Sequence, residues 1–414
     1  MIPVDEAQAL VLDNIDPLPA ETIDFAEACG RLLREDVVSD IDMPPFPRSA
    51  VDGFALRAED VASPPARLTV VGEVPAGTLP DFRVGVREAC QIMTGAPVPE
   101  GADAVQMVEQ SRWVGTDVEI LTRVASRQNV APKGSEVRKG DIVLRRGTRL
   151  DPPAVAVAAT VGKTRIEVGP RPKVAVIATG DELVAPSETP GPGQIRNSNA
   201  FSLVAQCRAA GAAASFLGVA RDDEASLETL IRKGLDFDVL LLSGGVSMGR
   251  FDLVEKVLET FGVRFLFDAV RLKPGKPLVF GLRDGTLVFG LPGNPVSTMV
   301  TFELFVRTAL ARLEGAEDPT RAHLCATLDK ELRNRGVRRA FIPGWVRTGE
   351  SGELHAFPIA TRGSGDVVAF SKSNALLIVP EDIDKLEAGD DVRFYPLDSF
   401  LIKEDIWQAG RNPS

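Results

Sequence analysis

Between residues 173 and 314 short, almost wholly apolar runs alternate with stretches of helical pattern, and that alternation leaves few folds open. KVAVIAT, AASFLGV, FDVLLLS and GTLVFGL are too apolar to leave one face in water. NAFSLVAQCRAAG, EASLETLIRKGL, DLVEKVLETF and VSTMVTFELFVRTALARL lie between and after them. Buried strands alternating with helices of about 10 to 15 residues predict a parallel sheet covered on both faces. Such sheets hold their ligands at the carboxyl ends of the strands. The loops TGDEL (179–183), ARDDE (220–224), SGGVSMGRFD (243–252) and LPGNP (291–295) each follow a strand, so all four are expected on one rim.

The flanking sequence has a different texture. Residues 1–170 are rich in Pro and Val, with short strands and turns, and read as a mainly β region with an inserted β domain at about 45–140. Residues 171–320 form the α/β domain, and 321–405 alternate at period two, as in AFIPGWVRT and NALLIVP, which predicts a small β-barrel. The fold class is therefore multidomain α/β plus β, and the last residues, EDIWQAGRNPS, are expected to fray. A net charge of -11 argues against a nucleic-acid surface. The start, MIPVDEAQALVLDNIDPLP, has acids where a signal peptide has bases, and no run reaches the ~18 apolar residues of a membrane span. Cys29, Cys90, Cys207 and Cys325 make no CxxC pair, so a reducing cytoplasm is the expected location. His323 and His355 stand apart from any second His or Cys, so the chemistry falls to carboxylates, lysines and backbone.

Glu182, Asp222 and Asp252 lie on the expected rim, and Asp52 in SAVDGFA adds a fourth acid from another domain. Crowded carboxylates repel one another unless a hard cation screens them, and Mg2+ fits, since it takes oxygen ligands and bridges to phosphates. Each acid also has a structural reading: Asp181 or Glu182 as a helix cap, Asp222 or Asp223 as the cap of the helix at 224, and Asp252 as an N-cap. Lys273 and Lys276 flank a Pro-Gly turn just before the strand that ends in Pro292, Gly293, Asn294 and Pro295. Backbone amides beside Ser243, Gly244, Gly245 and Ser247 suit an anion. Together these describe a site for a small phosphorylated or oxyanionic ligand. Neither G-x-G-x-x-G nor a Walker loop is present, and no G-x-S-x-G elbow has a histidine to serve it.

SAVDGFA, IMTGAPVPEGADAV, VAVIATGDEL, QIRNSN, SGGVSMGRFD, KPGKP and LPGNPVS, in this order, resemble the molybdopterin molybdenumtransferase family: the MoeA proteins and the related gephyrin E-domain. The resemblance runs over essentially the whole chain. It implies four parts, namely an N-terminal segment, an inserted β domain, a molybdopterin-binding α/β domain and a C-terminal β-barrel. It also implies an elongated homodimer with a cleft built from both subunits. The implied reaction inserts molybdate into adenylylated molybdopterin and releases AMP, with a divalent cation required. Molybdopterin adenylyltransferase is then a transient partner.

The family's acids fall on Asp52, Glu182, Asp222 and Asp252, with Glu182 and Asp252 nearest the cation. Thr94 takes its hydroxyl position, Lys273 and Lys276 its basic pair, and Pro292 and Pro295 its rigid loop. Arg338 and Ser364 resemble the lining of the oxyanion pocket, with Arg339 or Arg362 as alternatives to Arg338. Val51 and Phe54 stand where Met and Tyr are usual, Asn197 where an acid is common, and Glu136 where Asp is usual. Two other classes remain open at this point: a nucleotidyl transferase that adenylylates molybdopterin, which the α/β domain alone also resembles, and a non-catalytic scaffold of the gephyrin type.

Overall fold

The computed structural model describes residues 1–245, 253–334 and 336–400. Contacts divide the chain into two compact units: one holds residues 22–29 and 33–167, the other 1–21, 30–32 and 168 onward. The second unit begins with helix α1 (Val4–Asp13).

In the first unit six described strands make a mixed sheet: β1 (Gly53–Leu56), β2 (Ala66–Val74), β3 (Glu88–Ile92), β4 (Ala104–Met107), β5 (Ser111–Val114) and β6 (Asp117–Ile120). The order is β4-β1-β3-β2-β6-β5, and β1 is buried along its whole length between antiparallel neighbours. Gly53 permits that position, because a Cβ there would stand 1.9 Å from the Gln106 carbonyl oxygen. Phe54 is buried and meets Trp113 edge to face at 5.3 Å.

In the second unit the apolar runs form β7 (Lys173–Thr179), β8 (Ala213–Ala220), β9 (Val239–Ser243), β10 (Arg264–Ala269), β11 (Pro277–Arg283) and β12 (Thr286–Leu291). The order is β8-β7-β9-β12-β11-β10, and β8, β7, β9 and β12 run parallel as expected. Strand β11 is antiparallel to both neighbours, so the sheet is mixed. Strands β10 and β11 were not foreseen: RLKPGKPLVFG reads as a charged turn, yet its second half pairs with β12 in a hairpin. The hairpin turns at Asp284 and Gly285, both at positive φ (48° and 88°), as a two-residue Asp-Gly turn requires.

Strand residues point alternately to opposite faces. Val174, Val176, Ala178, Val239, Leu241 and Phe289 therefore pack with α1 and α2 (Asn199–Ala209). Ala175, Ile177, Leu240, Leu242 and Val288 pack with α3 (Glu224–Gly234) and α4 (Leu253–Thr260) on the other side. After β12 the chain enters α5 (Pro295–Thr301), passes through a π-helical turn at Phe302–Val306 and continues as α6 (Arg307–Glu314). Five described strands, β13 (Leu324–Leu328), β14 (Arg339–Thr348), β15 (Leu354–Pro358), β16 (Ala375–Val379) and β17 (Asp391–Pro396), then close a barrel in the order β14-β15-β13-β17-β16-β14. The tail from 401 on lies outside the described residues, so its expected fraying is not addressed.

Glu303, in the π-helical turn, anchors the helix that leads away from the LPGNP bend. Its side chain is 4% exposed and accepts from Gln206 Nε2 at 2.9 Å, from Arg307 Nε and Nη2 at 2.8 and 3.0 Å, and from Arg321. Removing one member of such a buried set leaves its partners' charge uncompensated. Glu303→Gln is expected to destabilise the protein by about 3–5 kcal/mol, read as a lower urea midpoint.

Candidate functional site

The four parallel strands deliver their following loops to one edge of the sheet. There, Glu182, Ser243, Gly244, Gly293 and Pro295 line a small cleft together with Asn197 and Asn199. Gly180 has φ 136°, and a Cβ on it would lie 2.4 Å from Glu182 Oε2, so the glycine makes room for the acid to fold back. No helix follows Asp181 and Glu182; residues Leu183–Val184 pair in parallel with Ile195–Arg196, which corrects the cap reading for both. Asp181 Oδ1 instead accepts the Asp222 amide at 3.3 Å. Asp223, not Asp222, caps α3 by accepting the Ser226 amide at 2.8 Å, which leaves the exposed Asp222 carboxylate free of a capping role. Asp222 does not line the cleft. Asp252 and Ser247 lie outside the described residues, and with them the N-cap reading of Asp252.

Asn199, the first residue of α2, ties two rim loops together. Its Nδ2 donates to Ser243 Oγ at 2.9 Å and to the Gly293 carbonyl at 2.7 Å. Beneath the glycines lies Thr179, 3% exposed; Cβ atoms on Gly244 and Gly245 would come within 3.0 and 2.7 Å of its Oγ1. Asn197 Oδ1 accepts the Ala200 amide at 3.1 Å, a role that an acid at this position would also fill.

A second cavity of about 1080 Å³ lies on the other side of the LPGNP bend, which thus forms a wall: Gly293 and Pro295 face the cleft, Asn294 the basin. Lys273, Lys276, Arg338, Ser297 and Ser364 line this basin with Asn294, and among the described residues no Asp or Glu does. Local pairing explains the assembly. Leu272–Lys273 pair in parallel with Arg339–Ala340 at the start of β14, and the Val296 amide donates to the Ser364 carbonyl at 2.9 Å. Gly275 fits the turn because it has φ 112° and because a Cβ would lie 2.6 Å from Thr301 Cγ2. The hydroxyl of Thr298, fully buried, lies against the Pro292 carbonyl and holds the bend from below.

Of the adjacent arginines, Arg339 is committed elsewhere. It donates to Asp5 Oδ1 and Oδ2 at 2.6 and 2.9 Å and to Glu381 Oε2 at 3.0 Å. The Arg339 guanidinium holds the Asp5 carboxyl below its usual range. Arg338 lines the basin, while Arg362 does not. Among the described residues none of Lys273, Lys276 and Arg338 has a carboxylate partner.

In the first unit Asp52 precedes β1 and Thr94 follows β3. Gly53 pairs with Ile92 in antiparallel register, which brings the two loops side by side. Asp52 Oδ1 accepts from the Thr94 amide at 2.6 Å and from its Oγ1 at 2.7 Å. The Thr94 hydroxyl, and then its amide, hold the Asp52 carboxyl below the usual range. Glu136 pairs with Arg48 at 2.7 Å. Burial pushes the thiols of Cys90 and Cys207 up to about 12, so neither serves as a nucleophile near neutral pH. Thr179, Asn199 and Ser297 were not singled out by the sequence, although each sits inside a motif that was.

Family models match along the chain: the MoeA N-terminal region (domain I and II) at residues 2–162, a probable molybdopterin binding domain at 175–312, and the MoeA C-terminal region (domain IV) at 326–397. Proteins described as molybdopterin molybdenumtransferase from Staphylococcus aureus and Staphylococcus epidermidis are each 33% identical over 410 residues, covering 98% of this chain and 98% of theirs. The crystal structure of a molybdopterin biosynthesis MoeA protein from Pyrococcus horikoshii OT3 is similar with a TM-score of 0.82 at 35% identity, covering 96% of this chain and 100% of that one.

The Asp52–Thr94 pair sets a pH dependence. A carboxyl with a lowered folded-state pKa contributes stability above the unfolded value, near 3.9, that is lost as pH falls through the folded one. Thr94→Val removes the larger cause and is expected to move the Asp52 titration upward, toward the ordinary aspartate range, as followed by carboxyl NMR.

Proposed function

This chain belongs to the MoeA family of molybdopterin molybdenumtransferases, enzymes of molybdenum cofactor biosynthesis, and on that premise we propose that it inserts molybdate into adenylylated molybdopterin with release of AMP. The observation that carries this reading is the basin: among the described residues it has three cationic side chains and no acid, in a protein of net charge -11. Molybdate and the substrate's phosphates are all anions, so bringing them together needs charge cancelled beforehand. Fixed cations do this without reorganising at the moment of reaction. Lys273, Lys276 and Arg338 neutralise the oxyanion, Ser297 and Ser364 offer neutral hydrogen bonds to it, and the rigid Pro292–Pro295 bend keeps the lining in place.

Across the bend, the cleft takes the organic part of the substrate. Gly244, whose amide already donates to the Leu291 carbonyl at 3.2 Å, lines the cleft without a Cβ and so allows a close approach there. Asp52 in the first unit is held ionised and oriented by Thr94, and the family resemblance assigns both to the reaction. Asp222, exposed and free of a cap, keeps its expected catalytic assignment.

The donor chemistry fits Mg2+. Glu182 offers a hard carboxylate oxygen at the cleft with no basic partner among the described residues, and Mg2+ takes one or two protein carboxylates while keeping waters and substrate phosphates. Among the described residues no three His, Cys, Asp or Glu side chains gather where they could hold a metal, and Glu182 is the one described carboxylate in the cleft lining. Glu182 and Asp252 would hold the ion, and its chemistry when bound is to polarise the phosphoanhydride. The working assembly is a homodimer, fed by transient contact with molybdopterin adenylyltransferase. No described helix is long and apolar enough to cross a membrane.

The direct test supplies the pure protein with adenylylated molybdopterin, Mg2+ and molybdate and measures AMP. AMP is expected to appear without ATP being consumed, and ATP consumption would point to an adenylylating enzyme instead. Losing one charged hydrogen bond to the oxyanion costs about 1.5–3 kcal/mol, so Lys276→Ala or Arg338→Ala is expected to raise KM for molybdate by roughly 10- to 100-fold.

A further inference from the structure

Among the described lining residues of the basin none comes from the first helix, yet residues 2–8 tie to all three segments that build it. Ile2 lies beside Val270 in a parallel bridge: its amide donates to the Ala269 carbonyl at 3.1 Å, and its carbonyl accepts the Arg271 amide at 2.7 Å. The Val270 amide in turn donates to the Lys276 carbonyl at 3.0 Å, which closes the turn carrying Lys273 and Lys276. Asp5 takes Arg339, the neighbour of Arg338, through both carboxylate oxygens. Gln8 Nε2 donates to the Leu304 carbonyl at 3.0 Å, in the π-helical turn that follows the LPGNP bend and α5. Val4, Ala7 and Val11 are buried in the core, so the three ties share one base.

This arrangement answers a positional problem. Arg338 has no carboxylate partner among the described residues to fix its side chain, so its backbone has to place it. On one side Asn334 Nδ2 donates to the Arg338 carbonyl at 2.9 Å. On the other, the Arg339 amide donates to the Arg271 carbonyl at 3.2 Å, and its guanidinium is shared between Asp5 and Glu381. The Asp5 side chain is 71% exposed, so its ion pair adds little to overall stability. A two-pronged arginine–carboxylate pair nevertheless fixes direction, and direction is what a two-residue pairing at 272–273 and 339–340 leaves weakly specified.

We infer, resting on the function proposed above, that Asp5 is a positioning residue for the oxyanion basin: through Arg339 it holds the start of β14 in the register that presents Arg338 to the anion. The bridge at Ile2 and the bond from Gln8 steady the lysine turn and the helix behind the bend from the same short segment.

Charge and geometry predict opposite results here. Asp5→Ala removes a negative charge near the basin, so electrostatics alone would tighten the binding of an anion, whereas a loosened Arg338 weakens it. Asp5→Asn removes the same charge but keeps an oxygen that can accept one of the two bonds. These variants, Arg339→Gln and the Asp5→Ala/Arg339→Gln double variant are made in the whole chain. Each is assayed for molybdate binding by calorimetry, for KM toward molybdate and toward adenylylated molybdopterin, and for thermal midpoint. Asp5→Ala is expected to weaken molybdate binding and raise its KM about fivefold, with KM for adenylylated molybdopterin and the midpoint nearly unchanged. Asp5→Asn is expected to fall between it and wild type, and the double variant to bind no worse than Arg339→Gln, because residues acting through one another are not additive. Unchanged or tighter binding in Asp5→Ala, both KM values raised alike, or additive losses in the double variant would overturn the positioning role, while wild-type AMP release left the reaction standing. If wild type binds molybdate but releases no AMP, the reaction falls and the calorimetric comparison still decides the role of Asp5. A wild-type chain that binds no molybdate would overturn both.

Discussion

Two parallel strands cannot be joined by a tight turn; the chain must cross over, usually through a helix, before it can run in the same direction again. Most of what this chain does follows from that constraint. Strands β7, β8, β9 and β12 start at one edge of their sheet and finish at the other, so each following loop emerges on the same side. Because alternate residues seal both faces, Val174 and Val176 to one side and Ala175 and Ile177 to the other, the interior has no room for a ligand. The loop edge is what remains, and the cleft is found there.

The electrostatics run against the average of the molecule. A net charge of -11 repels small anions at long range, yet among the described residues the basin gathers three cations with no acid in its lining. A concave surface of one sign with low-dielectric walls focuses its field, so a local excess can outweigh an unfavourable total. The neighbouring Arg339 shows what an ordinary arginine in this fold does: it is spent on Asp5 and Glu381, joining α1 to the barrel.

How much of this could be read beforehand depended on range. TGDEL and LPGNP announced themselves because apolar strands precede them, and a strand of that kind in a parallel sheet fixes where its loop goes. The lysine pair was visible as a pair, but the arginine that joins it was not certain: Arg338 and Arg339 are adjacent, and one residue decides which side of a strand a group occupies. Asp222 and Asp223 posed the same problem, and only the Ser226 amide tells them apart. The Asp284–Gly285 hairpin signal was present but hidden beside a charged Pro-Gly turn. Thr179 and Asn199 sat inside motifs that were read, TGDEL and QIRNSN, but their residue types did not mark them, since hydrogen-bond surroundings are not a property of residue type.

The pairing of residues 272–273 with 339–340 covers only two positions on each side, yet it aligns two segments that are far apart in the chain. A slip of a single residue there would exchange Arg338 with Arg339, sending the cation now paired with Asp5 and Glu381 into the cavity and the one that lines it toward Asp5. Evolutionary drift in this neighbourhood is therefore free to trade one side chain for another but not to change the number of residues. A lone insertion or deletion before Arg339 would keep an arginine at the basin yet unsettle the ion pairs that Arg339 makes with Asp5 and Glu381.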